Sequence, residues 1–223
     1  VNSVHFSTFC LGALGGLGLI LFARALSTLP PKLVFFGGTF QLIVGMTIGV
    51  VFLDELLTLS RFLVVLVLLI SQISLVVLDL DTWHQIPKHK RLNPLIIGVI
   101  WGIYYPIVGV VENSIGIWQT IAITESGVLA VILIVFFFNF KREVHGLTKL
   151  SHYKNMGYQA SLSVTAQVLT VYCLQLGGII FQSILSSFSN LINLAAFRAS
   201  FNERIEMSYV VYFLGYGCLL LIL

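Results

Sequence analysis

The chain has 223 residues, 58% of them hydrophobic and 9% charged, with a mean hydropathy of +1.00. Soluble domains carry about a quarter charged residues, so the composition reads as a polytopic, all-α membrane helix bundle. The net charge of +3 is small and the basic residues fall mostly between or at the ends of apolar runs, which argues against nucleic acid as a partner.

A hydrocarbon core of about 30 Å takes roughly 20 helical residues. On that ruler eight spans follow one another: Val4–Leu26, Leu33–Leu53, Leu59–Val77, Leu95–Val111, Ile117–Phe138, Met156–Leu176, Ile179–Ser200 and Met207–Leu223. The breaks between them are Pro30-Pro31, Asp54-Glu55, the basic stretch Asp81–Pro94, Glu112-Asn113-Ser114, the basic stretch Asn139–Asn155, Gly177-Gly178 and Asn202-Glu203-Arg204. The alternation of sides puts Arg24, Lys32, Lys88, Lys90, Arg91, Lys141, Arg142, Lys149, Lys154, Arg198 and Arg204 on one face of the membrane and leaves Arg61 alone on the other. By the positive-inside rule the first face is cytoplasmic, and both termini are expected outside.

A repeat is superimposed on this order. With a constant offset of 148 residues and no gap, Leu33–Glu55 lies over the stretch ending at Glu203, so that Phe40 meets Phe188, Leu53 meets Phe201, Asp54 meets Asn202 and Glu55 meets Glu203. Each copy follows an apolar helix closed by a short turn, and each precedes another apolar helix. The first unit starts at span one and its copy at span six, five spans later, so the copies are expected to cross the membrane in opposite directions. Inverted repeats of this kind bracket the substrate path in secondary transporters.

Polar residues inside spans should face the bundle interior or a cavity, because lipid offers them no hydrogen bonds. In the seventh span Gln182, Ser186, Ser189, Asn190 and Asn193 share one helical face. Gly38, Gln41 and Gly45 fall on Ser186, Ser189 and Asn193 through the offset. Amide and small residues also serve as packing contacts between membrane helices; their coincidence in both copies favours a cavity. Trp101 and Tyr105, with Gly98 and Gly109 on the same face and Tyr104 beside it, lie roughly 10 to 16 Å into the fourth span at 1.5 Å per residue, too deep for an interfacial belt. Such rings clasp amphipathic solutes or cations. Glu125 is the acidic residue drawn well inside a span and a candidate proton relay or cation partner, unless it pairs with Arg198. Ser163, Gln167 and Thr170 add a polar stripe on span six. Glu55 and Glu203 suit the start of the helix that follows each of them, where a carboxylate complements the helix dipole.

The helix, short turn and second helix ending in LDELLTLSRF (Leu53–Phe62) resemble the closing segment of an EamA-type repeat of the drug/metabolite transporter superfamily. FNERIEMSYVV is similar, and LNPLIIGVIWGIYYPIVG (Leu92–Gly109) looks like the opening helix of that family's second repeat. The resemblance implies ten spans in two five-span halves. Residues 1–80 would be the last three helices of the first repeat, 81–94 a basic loop and 95–223 the complete second repeat, with the first two of ten spans lacking. Members usually keep both termini in the cytoplasm, opposite to the charge count.

Function follows from the same residues. Five histidines without a close ligand pair, and Cys10, Cys173 and Cys218 standing singly, give no metal site, cofactor or disulfide framework. No GxSxG or Walker sequence is present, so an enzyme is not expected. The reading is a multi-pass carrier, expected in the plasma membrane, moving a small polar or amphipathic metabolite (an amino acid, a sugar derivative or a drug-like solute) by alternating access. Its solute site is expected near mid-membrane, lined by Gln41, Trp101, Tyr105, Gln167, Asn190 and Asn193 with Glu125 close by. The partners expected are that solute, the bilayer and, as a candidate, a second copy of the chain in a homodimer. The alternative is a non-transporting scaffold or partner subunit that keeps a transporter-like fold.

Overall fold

A computed structural model of the chain describes residues 3–77, 80–143, 168–172, 174–175 and 177–187. Among the described residues every element is a helix: α1 Ser3–Leu26, α2 Pro31–Phe35, α3 Gly37–Phe52, α4 Leu59–Val77, α5 Leu80–Gln85, α6 Lys88–Ile115 and α7 Ile117–Glu143, with a further apolar helix, α8, at Gly177–Ser187. Five stretches are long and apolar enough to cross a membrane: α1, α2 with α3, α4, α6 and α7 as far as Phe138. That is the build of a membrane protein. Two compact units are formed, Val1–Leu17 with Ile107–Leu176 and Gly18–Pro106 with Gly177–Leu223.

In the second unit the helix ends are set by local chemistry. At the close of α1 the hydroxyls of Ser27 and Thr28 both donate to the carbonyl of Arg24, at 2.8 and 3.0 Å, taking up one acceptor that the last turn leaves open. Pro31 then opens α2 from the N1 position, where its missing N–H costs nothing. Phe36 stays in the right-handed helical region, so α2 and α3 make one apolar segment. Asp54, at φ +53°, turns the chain out of α3; Asp is among the few side chains that tolerate this region. Thr58 starts α4 by accepting the N–H of Arg61 on its hydroxyl at 3.3 Å.

Apolar side chains from four helices form the core of this unit: Phe35 and Leu42 from α2 and α3, Val65, Leu68 and Leu75 from α4, and Ile180 from α8. Lipid is as apolar as these residues, so packing rather than exclusion from water holds them together. The closest approaches are therefore made where a side chain is lacking. Gly98 and Gly102 let α6 lie directly on α3: a Cβ at Gly98 would collide with the carbonyl of Gly37, and one at Gly102 would stand 2.7 Å from Val44 Cβ and 3.1 Å from the carbonyl of Gln41.

The basic stretch 81–94 was expected to be a loop and is largely helical. α5 occupies its first part and α6 already begins at Lys88. Arg91 ties the two, its guanidinium donating to the carbonyls of Ile86 at 2.7 Å and His84 at 2.6 Å while lying 5.9 Å from the centre of the Trp83 ring. Pro94 sits inside α6 and removes only the bond to Lys90, so the helix runs through it.

In the first unit α1 packs on α7 in the same manner. A Cβ at Gly12 would collide with the backbone of Thr124, one at Gly127 with the carbonyl of Phe9, and one at Gly16 would stand 3.1 Å from Val128 Cα. The hydroxyls of Thr120 and Thr124 donate to carbonyls one turn back, at 2.9 and 2.7 Å. α6 does not stop at Glu112-Asn113-Ser114 as expected. It runs on to Ile115 and is ended by Gly116 at φ +81°, a left-handed residue whose N–H donates to the carbonyl of Glu112 at 2.8 Å.

Candidate functional site

The second unit brings spans two, four and seven of the sequence reading together at one junction. α3 and α8 run antiparallel along each other: Gly49 faces Ile180, Gly45 faces Ser183, and Gln41 Nε2 donates to Ser186 Oγ at 2.7 Å. A Cβ at Gly45 would stand 2.6 Å from Ser183 Oγ, so the glycine is what allows a hydroxyl of α8 to reach the backbone of α3. Ser186 and Ser187 in turn donate to the carbonyl of Ser183, at 3.4 and 3.1 Å. Gln182, Ser183 and Ser187 are buried.

α6 closes the third side. The carbonyl of Gly102 lies 3.9 Å from the Cβ position of Gly45, and the residue that would donate to it in a regular helix is Pro106, which has no N–H. A backbone acceptor without its ordinary helical donor thus stands beside the α3 and α8 crossing. Irregular backbone at membrane depth is tolerated where protein or a cavity covers it. Its signal in the sequence is a proline four residues after a glycine inside an apolar run.

Beside the junction the three rings of α6 make a cluster. Trp101 stacks on Tyr105, with centroids 5.6 Å apart and planes 23° apart, and Tyr104 sets its edge against both at 5.5 and 5.2 Å. Tyr104 is buried, at 1% exposure; Trp101 and Tyr105 are half-buried. Trp101 also packs against the second apolar cluster of the unit, around Ala25, Val34 and Ile97, and against Gly18, whose Cβ position lies 3.4 Å from the indole. The rings stack on one another rather than standing apart as an open clasp. Gly98 serves the crossing with α3, and Gly109 faces Leu174 at 3.6 Å from its Cβ position.

Gln41, Trp101 and Tyr105 therefore belong to one compact unit, and Gln41 touches α6 through its backbone and α8 through its side chain. Glu125 is half-buried on α7, in the first unit. Gln167, Asn190 and Asn193 lie outside the described residues, as do Glu203 and most of the second repeat.

Two acidic residues have roles the sequence reading did not give them. Glu55 does not cap the helix that follows it. Its carboxylate accepts the N–H of Ile179 at 2.6 Å and of Ile180 at 3.0 Å, at the start of α8 and more than a hundred residues away in sequence. Glu112, read as part of a loop, is 3% exposed in the last turn of α6, hydrogen-bonded by the side chain of Gln175, with Oε1 finding no partner. A buried carboxyl in an apolar helix is a functional candidate by default, because it must be neutral, paired or wetted. Ser71, Gln72 and Ser74 make a further buried polar group on α4; their burial was hidden by the apolar residues around them. Among the described residues no cluster of His, Cys, Asp and Glu suits a metal ion.

No protein-family model matches the chain, and no curated protein matches it.

Proposed function

We propose that the chain is a carrier of the EamA type in the drug/metabolite transporter superfamily, with eight spans, in which two inverted units move a small polar or amphipathic solute by alternating access. The observation that carries this reading is the antiparallel crossing of α3 and α8. Along it Gly49 pairs with Ile180, Gly45 with Ser183 and Gln41 with Ser186, so the separation in sequence is 131, then 138, then 145 residues. Two helices related by a two-fold axis and an offset of 148 must cross that axis where the separation equals the offset. The progression reaches 148 less than one helical turn past Gln41, which supports an axis in the membrane plane. Asp54 adds to this: its left-handed turn is matched in the copy by Asn202, the other side-chain type that adopts φ above zero most readily.

The solute would be held at the α3, α6 and α8 junction by neutral groups: the Gln41 amide, the hydroxyls of Ser183 and Ser186, the Gly102 carbonyl and the half-buried faces of Trp101 and Tyr105. Neither α3 nor α8 carries a charged residue in its described length. Asn190 and Asn193 would continue the stripe through the repeat, and Gln167 would face it from span six. The second reading, a non-transporting scaffold, draws on the fact that Gln41 is already bonded to Ser186, as a packing contact would be.

Flux of radiolabelled amino acids, sugars and cationic drugs into proteoliposomes separates the two. Under the carrier reading Asn190→Leu lowers flux while folded yield holds. A loss of folded yield, since each amide left unpaired costs about 1–3 kcal/mol, together with no flux in the parent protein, would select the scaffold.

A further inference from the structure

The loop after α3 is fixed to α8 by a built notch. Asp54, at φ +53°, aims the chain back over the end of α3, and the N–H of Glu55 donates to the carbonyl of Gly49 at 3.0 Å. This sets the Glu55 carboxylate against the first turn of α8, where Oε1 meets the N–H of Ile179 and Oε2 that of Ile180. Both walls of the notch are glycine. A Cβ at Gly178 would stand 2.6 Å from Oε1, and one at Gly49 would stand 3.3 Å from Oε2. Gly178 is in the left-handed region, at φ +76°, so a side chain there would be strained as well as obstructive. The first N–H groups of a helix have no partner within it, and they carry the positive end of its dipole. A carboxylate bridging two of them makes two charge-assisted bonds, and Ile179 and Ile180 beside it are buried.

Away from this notch α3 and α8 share the apolar core around Leu42, Ile180 and Ile184, and the polar side of the line between them is weaker: Gly45 against Ser183, and one neutral hydrogen bond from Gln41 to Ser186. The strong fastening is thus at one end of the pair and is made by a single side chain on a short loop. We infer that Glu55 is a releasable latch that closes this end of the α3 and α8 pair. The inference rests on the carrier reading for its purpose, since α3 and α8 must part at one end for a solute to enter between them. The latch itself is a property of the second unit alone.

The test uses the full chain in detergent with Cys10, Cys173 and Cys218 replaced by serine. One cysteine is placed at Ser183, buried between α3 and α8, and in a separate protein one at Thr124, buried in the first unit. Labelling by a bulky, charged maleimide reads the opening of each site. Glu55→Gln keeps one acceptor oxygen, now uncharged, and sets an amide donor against the other N–H, so one bond is lost and the other is no longer charge-assisted. The rate at position 183 should rise about tenfold, which corresponds to about 1.4 kcal/mol, and the rate at position 124 should not change. Glu55→Asp, which keeps the charge but withdraws it by one methylene, should raise the rate at 183 by less and serves if the glutamine variant does not fold. An unchanged rate at 183 overturns the latch, and so does an equal rise at 183 and 124, which would make Glu55 a support of the whole fold. Flux measured in parallel keeps the two proposals apart. A selective rise at 183, with no flux in the parent protein that keeps Ser183, removes the carrier and leaves the latch, whereas flux in that parent with an unchanged rate at 183 does the reverse.

Discussion

Adding one methyl group to α3, by Gly45→Ala, should act with opposite signs in two backgrounds. In a helix interior alanine is favoured over glycine by about 1 kcal/mol, so on propensity alone the change stabilises. The new Cβ would stand 2.6 Å from Ser183 Oγ, closer than any real contact, whereas the next atom, Ser183 Cβ, lies at 3.7 Å, an ordinary one. Ser183 is buried and has little room to turn its hydroxyl away, and overpacking of this kind costs about 1–3 kcal/mol. The net effect in the parent protein is a loss of up to about 2 kcal/mol. In a Ser183→Ala background the obstructing oxygen is gone, and the same methyl group should stabilise by about 1 kcal/mol. At about 2–4 °C per kcal/mol for a chain of this length, thermal unfolding of the purified protein in detergent resolves both signs. If Gly45→Ala raises the midpoint equally in both backgrounds, α3 and α8 do not meet at this point, and the antiparallel crossing that supports the inverted repeat falls with it.

Two further outcomes are expected. Gly116→Ala meets nothing within 4 Å of its Cβ but must hold φ +81°, so it should lower the thermal midpoint through backbone strain alone, by about 1 kcal/mol; no change would mean that α6 and α7 are joined by a different turn. Glu112→Gln can keep the bond to Gln175 while losing the ability to carry charge, so folded yield should hold and any uptake driven by a proton gradient should vanish. Uptake that still follows the gradient would move the coupling carboxyl elsewhere, with Glu125 the next to replace.

What the sequence made legible is bounded by strong local signals. α4 occupies Leu59–Val77, the span read from hydropathy, because Thr58 starts it by a hydrogen bond that depends on sequence neighbours alone. α1 ends before Pro30-Pro31 for the same kind of reason. α6 was read too short at both ends. Lysine and proline in KHKRLNP look like loop, yet Pro94 removes a single hydrogen bond, and the polar run at Glu112 lies upstream of the true stop, the left-handed Gly116. Pairings across the chain were legible only where the polar faces of spans two and seven were read as turning to one place, as Gln41 and Ser186 do. Nothing near Glu55 announces that its acceptor oxygens serve Ile179 and Ile180, and Gly98, which shares a helical face with Trp101 on a wheel, turns out to be the seat of α3. The aromatic cluster was legible because residues at i, i+3 and i+4 are neighbours on any helix; whether their rings stack or stand open depends on neighbours that periodicity does not name.

The start of α6 has a consequence for how the chain enters a membrane. Lys88, Lys90 and Arg91 sit in its first turn, the end of a helix where positive charge is disfavoured by about 0.3–1 kcal/mol per residue. Arg91 is engaged by the carbonyls of His84 and Ile86 and by Trp83, which leaves the exposed Lys88 and the half-buried Lys90 to the headgroups. Each lysine gains about 1 kcal/mol beside anionic lipid, enough to offset the dipole. The orientation that α6 takes during insertion is therefore set by the lipid charge of the leaflet it first meets as much as by its own apolar length. In a membrane poor in acidic phospholipid this helix would lose its anchor and be free to insert the wrong way round.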